Sequence, residues 1–219
     1  QNNALDFDDL ILLAVKLLQE HEPVRREHRS RCSYLLVDEY QDINLAQYQL
    51  VRALTPRRDN VCVVGDDDQS IYSWRGASVE FILRFQNDFP QAKVVKLEQN
   101  YRSTQTILDA AFHVISKNER RAPKQLWTAK GGGEPLVVFD APNEQEEAFQ
   151  VASLVKQRLE NSSRPSDFAI LYRTNAQSRV IEEEMRRQTL PYTIIGGVRF
   201  YDRKEIKDII AYLRFLQNP

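Results

Sequence analysis

"Y-L-L-V-D-E-Y-Q-D", residues 34–42, decides how this chain folds. Residues 34–37 are an apolar run fit for a buried strand. Three carboxylates, Asp38, Glu39 and Asp42, follow at once. Unpaired charge at the end of a buried strand is unfavourable unless something offsets it. In an open parallel sheet the carboxyl end of a strand is also the ligand-binding edge. Two readings therefore fit. In one, Asp38 supplies a hard oxygen ligand to Mg²⁺ and Glu39 orients or deprotonates a water. In the other, the three acids form a solvated turn.

Working outward, strands alternate with helices. Apolar residues at helical spacing (Leu10, Leu13, Ala14, Leu17, Leu18) predict a helix over 5–20. Residues 21–33 read as a charged connection. A helix over 45–54 leads to a second strand at 61–64, closed by Gly65. A helix over 78–89, capped by Ser78 and stopped by Pro90, leads to a third strand at 94–97. The pattern restarts after "N-Y-R-S", 100–103. Ser103 caps a helix to about residue 117, and strands are expected at 136–139, 168–172 and 192–195. Asn143 with Glu146 and Asp202 with Glu205 are capping-box signatures, and Thr174 with Gln177 opens a further helix. Alternation of this kind implies parallel βαβ units and an α/β fold. The boundary is placed near residue 102, giving one unit over 1–102 and another over 103–219.

The totals agree. The 219 residues are 42% hydrophobic and 28% charged with a net charge of −1, a globular composition rather than a disordered one. No apolar stretch approaches the ~20 residues of a membrane span, and no signal peptide is legible. Cys32 and Cys62 form no C-x-x-C and are expected to be reduced core residues of a cytoplasmic protein. Net charge does not decide the question of nucleic acid; only a local patch can.

Three further stretches carry chemistry. "G-D-D-D-Q-S-I-Y-S-W-R-G-A", 65–77, follows the second strand and belongs at the same sheet edge. Gln69 has the donor and acceptor needed to sense a phosphate and its water. Tyr72, Trp74 and Arg75 read either as a stacking platform for single-stranded bases or as ordinary core. In "L-E-Q-N-Y-R-S", 97–103, Tyr101 can stack on a purine and Arg102 can stabilise a transferring phosphoryl group; a plain helix start with a surface arginine is the other reading. In "L-Y-R-T-N-A-Q-S-R", 171–179, Arg173, Thr174, Asn175 and Arg179 lie near a helix start, with Arg199, Arg203 and Lys204 further on. They read as phosphate contacts or as a solvated polar face.

These stretches, in this order, resemble the UvrD/Rep/PcrA group of superfamily 1 DNA helicases. "L-D-F-D-D-L" (5–10), "K-Q-L-W-T" (124–128) and "F-Y-D-R-K-E-I-K-D-I-I-A-Y-L-R" (200–214) extend the likeness over nearly the whole chain. The resemblance implies parts of two RecA-like (P-loop NTPase) domains, with parallel sheets flanked by helices, ATP in a cleft and single-stranded DNA across the top. It assigns Asp38 to Mg²⁺, Glu39 to water activation and Gln69 to coupling of the γ-phosphate with DNA. Tyr101 is assigned to adenine stacking and Arg102 to the arginine finger. Tyr72, Trp74, Arg75, Arg173, Thr174, Asn175, Arg179 and Arg199 are assigned to DNA. The implied partner is single-stranded or 3′-tailed duplex DNA, with 3′ to 5′ movement and no membrane.

One departure matters. The family's G-x-x-x-x-G-K-[ST] phosphate loop is absent from these 219 residues, as are its last two motifs. The chain is expected to be a middle piece, inactive by itself. The alternatives are a non-catalytic helicase-derived DNA-binding module, a helicase subunit of a helicase–nuclease complex, and a two-metal nuclease built on Asp38, Glu39, Asp66 and Asp67.

Overall fold

Asp6 and Asp9 accept from each other's backbone N–H groups, at 2.8 and 3.2 Å. That reciprocal box starts helix α1, Phe7–Glu20, which buries Val15 and Leu18 and packs on α2 and α3. The computed structural model describes residues 4–55, 60–161, 163–195 and 204–217. The expected charged connection is instead a second helix, α2, Glu22–Arg31. Its charges sit at helical spacing: Arg31 pairs with Glu27 at 2.5 Å, and Arg25 and Arg26 both pair with Glu22. Such pairs support a helix that has little apolar face of its own. Arg29 then caps the next helix by donating to the Ala53 and Arg52 carbonyls at 2.7 and 3.2 Å.

Strand β1, Leu35–Val37, pairs in parallel with β2, Val61–Val63, through the crossover helix α3, Leu45–Leu54. Asn44 and Gln47 form the capping box of α3, each accepting from the other's N–H at 2.9 Å. The register sets Val37 opposite Val63 and Leu36 opposite Cys62. Val37 and Val63 face the core of Tyr40, Ile43 and Phe81, together with Tyr48, Val51, Ile82 and Phe85. Tyr40 is fully buried and stands edge-on to Phe85, and burial pushes its phenol up to about 12. The other sheet face is open: Leu36 is 75% exposed and Cys62 is exposed. This corrects two expectations. The strand at 34–37 is covered on one face only, and Cys62 is a free thiol outside the core. Period-two alternation sends neighbouring residues to opposite faces.

The expected single helix over 78–89 is broken at Arg84 into α4, Glu80–Leu83, and α5, Phe85–Asp88. The Arg84 guanidinium lies 5.0 Å over Tyr48 and 5.1 Å over Phe81. Val79, not Ser78, is the N-cap; Ser78 contributes its carbonyl to Phe81 N–H. The chain over 94–97 is not a sheet strand among the described residues. Its neighbourhood pairs with the 123–127 segment: Trp127 N donates to Glu98 O at 3.0 Å and Asn100 N to Trp127 O at 2.7 Å. Helix α6, Gln105–Ile115, is capped by neither Ser103 nor Thr104 side chains. The Gly131 and Gly132 carbonyls accept its first N–H groups from Gln105 and Thr106.

Two compact units result, residues 1–136 and 137–219. In the second, helix α7, Glu144–Glu160, packs on α8, Ser178–Arg187, around Ala152, Val155, Met185 and Leu190. Asn143 accepts from Glu146 N–H at 2.8 Å at the start of α7, the N-cap half of the box its signature predicts. Helix α9, Lys204–Gln217, follows. The stretches 136–139, 168–172 and 192–195 form no strands among the described residues. Apolar composition makes a strand possible, but only a ladder partner makes one. The Asp202 cap lies outside the described residues. No helix among them is long and apolar enough to cross a membrane.

Candidate functional site

Asp38 and Glu39 leave β1 into solvent. Both carboxylates are exposed, so the strand end carries no buried charge to be offset. Glu39 takes a left-handed backbone, φ 50° and ψ 43°, which costs a non-glycine residue about 1–3 kcal/mol. Local bonds hold it there. Its N–H donates to Asp38 Oδ1 at 2.9 Å, and its carbonyl accepts from Asp42 N–H at 2.9 Å. Its carboxylate accepts from Gln41 Nε2 at 2.8 Å.

Gln41 is the buried hinge of the site, 1% exposed. Its amide nitrogen reaches Glu39 and Asp42, and its Oε1 accepts from Asp66 N–H at 3.0 Å. Ser70 Oγ donates to its main-chain carbonyl at 3.1 Å. Gly65 makes this crossing possible: a Cβ there would lie 2.6 Å from Gln41 Oε1 and 2.8 Å from Ile82 Cδ1. The 65–77 stretch begins with glycine because the Gln41 side chain occupies the space of a Cβ.

The turn after Gly65 presents Gln69, exposed, with its Nε2 on Asp66 Oδ2 at 2.7 Å. Three aspartates in a row need cations, and the chain supplies two from a distant segment. Lys124 Nζ lies 2.5 Å from both Asp66 Oδ1 and Asp67 Oδ1, and 3.0 Å from Asp68 Oδ2. Arg121 grips Asp68 through Nε at 3.0 Å and Nη2 at 2.8 Å, and Ala122 N–H donates to Asp67 at 2.7 Å. The two-metal reading needs these carboxylates for metal, whereas here they hold Lys124 and Arg121. No group of three or more metal-ligating side chains is set to hold a metal among the described residues.

Burial raises the Asp66 carboxyl, but hydrogen bonds from Lys124 and Gln69 and the Lys124 charge outweigh it, so it lies below the ordinary 3.8. The Arg121 hydrogen bond holds Asp68 below 3.8 against burial, with Lys124 adding to it. Burial favours neutral Lys124, yet the three aspartates raise it above 10.5. Depressed carboxyls bind fewer protons folded than unfolded, so their stabilisation is present above the unfolded value and is lost as pH falls through the folded one. The unfolding free energy is expected to fall as pH drops below about 4, and Asp68→Asn is expected to make that fall shallower. Urea titrations across the acid range check this.

Tyr72, Trp74 and Arg75 follow in an exposed turn. Trp74 is 68% and Tyr72 37% exposed, so neither ring is core. Their rings lie 6.2 Å apart, and the Arg75 guanidinium sits 4.5 Å over Trp74 and 5.3 Å over Tyr72. Gly76, at φ 79°, closes the turn in a left-handed conformation suited to glycine.

Tyr101 is 74% exposed and donates to Gln99 Oε1 at 2.8 Å. Arg102 is exposed; Asn100 Oδ1 accepts from its N–H and from that of Ser103, and Lys130 holds its carbonyl at 2.9 Å. In the second unit, Arg173 and Thr174 N–H both donate to Gln177 Oε1 at 3.0 Å, and Arg179 pairs with Glu183 at 2.9 Å. Asn175 carbonyl accepts from Ser178 Oγ, just before α8. Arg199 lies outside the described residues. The structure thus links Glu39 and Gln69 through Gln41 and Asp66, and groups Tyr72, Trp74 and Arg75.

Residues 1–90 match the UvrD/REP helicase N-terminal domain, and residues 95–219 match the UvrD-like helicase C-terminal domain. The chain belongs to the UvrD-like helicase family. It is 50% identical over 218 residues to the ATP-dependent DNA helicase PcrA of Staphylococcus aureus strain Mu50 and to that of Staphylococcus epidermidis strain RP62A. The match covers 100% of this chain and 30% of each relative, so the chain spans under a third of their length. Within this UvrD-like chain, Asp38, Glu39, Gln69, Tyr72, Trp74 and Arg75 fall in the N-terminal match, and Tyr101, Arg102, Lys124 and the 173–179 stretch in the C-terminal one. The family matches divide the chain between 90 and 95 and the compact units at 136; the boundary read near 102 lies between. Lys124 and Arg121 were not assigned from sequence. The signal was the run of three aspartates, which demands compensating cations, and "R-R-A-P-K", 120–124, which offers them.

Proposed function

We propose that this UvrD-like chain is part of the motor of an ATP-dependent DNA helicase that moves 3′ to 5′ along single-stranded or 3′-tailed duplex DNA in the cytoplasm. One observation carries the reading. A hydrogen-bonded line runs from Glu39 through Gln41 and Asp66 to Gln69, and the same turn continues into the exposed Tyr72–Trp74–Arg75 cluster. On this reading a site for hydrolysis and a surface for bases are continuous.

Glu39 accepts the proton of the attacking water as that water bonds to the γ-phosphorus and the bond to ADP breaks. Gln69 holds the water or phosphate oxygen by its amide. Arg102 balances the charge spread over the transferring group, and Tyr101 stacks on the adenine. The donor set suits Mg²⁺, which takes one or two protein carboxylates and keeps several waters. Asp38, exposed and bonded through Oδ1 to its neighbour's N–H, would hold it. When bound, the ion neutralises phosphate charge. Tyr72, Trp74 and Arg75 stack on bases, while Arg173, Thr174, Asn175, Arg179 and Arg199 serve the DNA backbone.

These 219 residues carry no Gly-Lys-Ser/Thr loop, so by themselves they are proposed not to turn over ATP. The full-length protein carrying this chain is expected to hydrolyse ATP at least about tenfold faster with oligo-dT than without, a coupling of ordinary size. Salt-dependent binding of oligo-dT with no hydrolysis would replace this reading with that of a non-catalytic DNA-binding module.

A further inference from the structure

The ion cluster on the 65–77 stretch is more than charge balance. Asp66 holds three donors: Oδ1 accepts from Lys124 Nζ at 2.5 Å and Asp68 N–H at 3.1 Å, and Oδ2 accepts from Gln69 Nε2 at 2.7 Å. Its N–H donates to Gln41, which in turn holds Glu39. Turning the Asp66 carboxylate therefore moves Gln69 on one side, and shifting its backbone moves Gln41 and Glu39 on the other. Lys124 is a cation on that carboxylate, and it is 17% exposed in its side chain. It comes from 58 residues further along the chain, in the segment matched by the C-terminal family domain, whereas Asp66, Gln69, Gln41 and Glu39 all lie in the N-terminal match. Arg121 and Ala122 fix the same segment to Asp68 and Asp67, so Lys124 approaches along a tethered backbone.

We propose that Lys124 is a positioning residue, a latch from the C-terminal family segment that sets the Asp66 carboxylate and thereby couples DNA on the Tyr72–Trp74 platform to hydrolysis at Glu39. This rests on the helicase reading given above. A cation with several donors suits the role, because it meets three carboxylates at once. The chain of contacts is contiguous and short, which is what carries coupling between two sites.

The test uses the full-length protein carrying this chain, with Lys124→Met, Lys124→Arg and the double variant Lys124→Met/Asp67→Asn. The double variant removes one positive and one negative charge, so it keeps the cluster's net charge if Lys124→Met alone fails to fold. The Met variant and the double variant are each expected to lose about tenfold in the stimulation of ATP turnover by oligo-dT while KM for ATP moves less than about twofold. Amide exchange over residues 66–75 is expected to quicken in both by about tenfold, the sign of a released turn. Lys124→Arg is expected to restore stimulation to within about threefold of wild type. Full stimulation in the double variant overturns the proposal. So does a loss of stability with an unchanged stimulation ratio, or failure of Lys124→Arg to restore coupling. A wild-type protein with no DNA-stimulated hydrolysis refutes the helicase reading instead. Amide exchange, which needs no activity, then decides the latch: unchanged exchange in both Met-bearing variants overturns it.

Discussion

Glu39→Gln in the full-length protein is expected to lower DNA-stimulated ATP hydrolysis by about 10²- to 10⁴-fold, the range supplied by a general base. Nucleotide binding is expected to persist. The reason lies in the strand end. Glu39 is exposed and held in a left-handed conformation by three local bonds, with Gln41 donating to the carboxylate itself. Glutamine keeps the size and the acceptor oxygen for Gln41 but cannot take a proton. Steady-state hydrolysis and equilibrium nucleotide binding, measured side by side, separate the two effects. Turnover equal to wild type removes Glu39 from the role of base.

Trp74→Ala is expected to weaken binding of oligo-dT by about 5- to 150-fold, the equivalent of losing ~1–3 kcal/mol of base stacking. Trp74 is 68% exposed and makes its aromatic contacts with Arg75 and Tyr72, so truncation removes surface rather than core. Arg75 covers one face of the indole at 4.5 Å. A base therefore stacks on the other face or displaces the guanidinium, and Trp74→Phe is expected to retain most of the affinity. Fluorescence anisotropy at one fixed salt concentration reads this, because phosphate contacts alone change affinity steeply with salt. Affinity unchanged in Trp74→Ala assigns the DNA face elsewhere.

The helices were largely legible. The Asn143 cap was read from local sequence and accepts from Glu146 N–H, whereas the caps expected at Ser78 and Ser103 are not made, and those at Asp6 and Asn44 went unread. Helix α2 was missed because its support comes from Glu–Arg spacing and not from an apolar face. Strands were read less well. Residues 94–97 and 136–139 have strand composition, but a strand exists only by hydrogen bonds to a partner that composition does not name. Val138, at 91% exposure, shows the outcome where no ladder forms.

By itself the sequence determined which residues are the candidates for chemistry: the acids after β1, the glutamine and aromatic turn, and the tyrosine–arginine pair. Those are local types in local order. Tertiary structure alone decided how they connect. Gln41 reads as a polar residue in an acidic turn, yet its buried amide joins two motifs across the space that Gly65 leaves. Lys124 reads as one of thirty basic residues, yet it meets three aspartates more than fifty positions away. Charge pairing falls off with distance in space and not along the chain, so a residue's electrostatic partner is known only once the backbone has brought the two together.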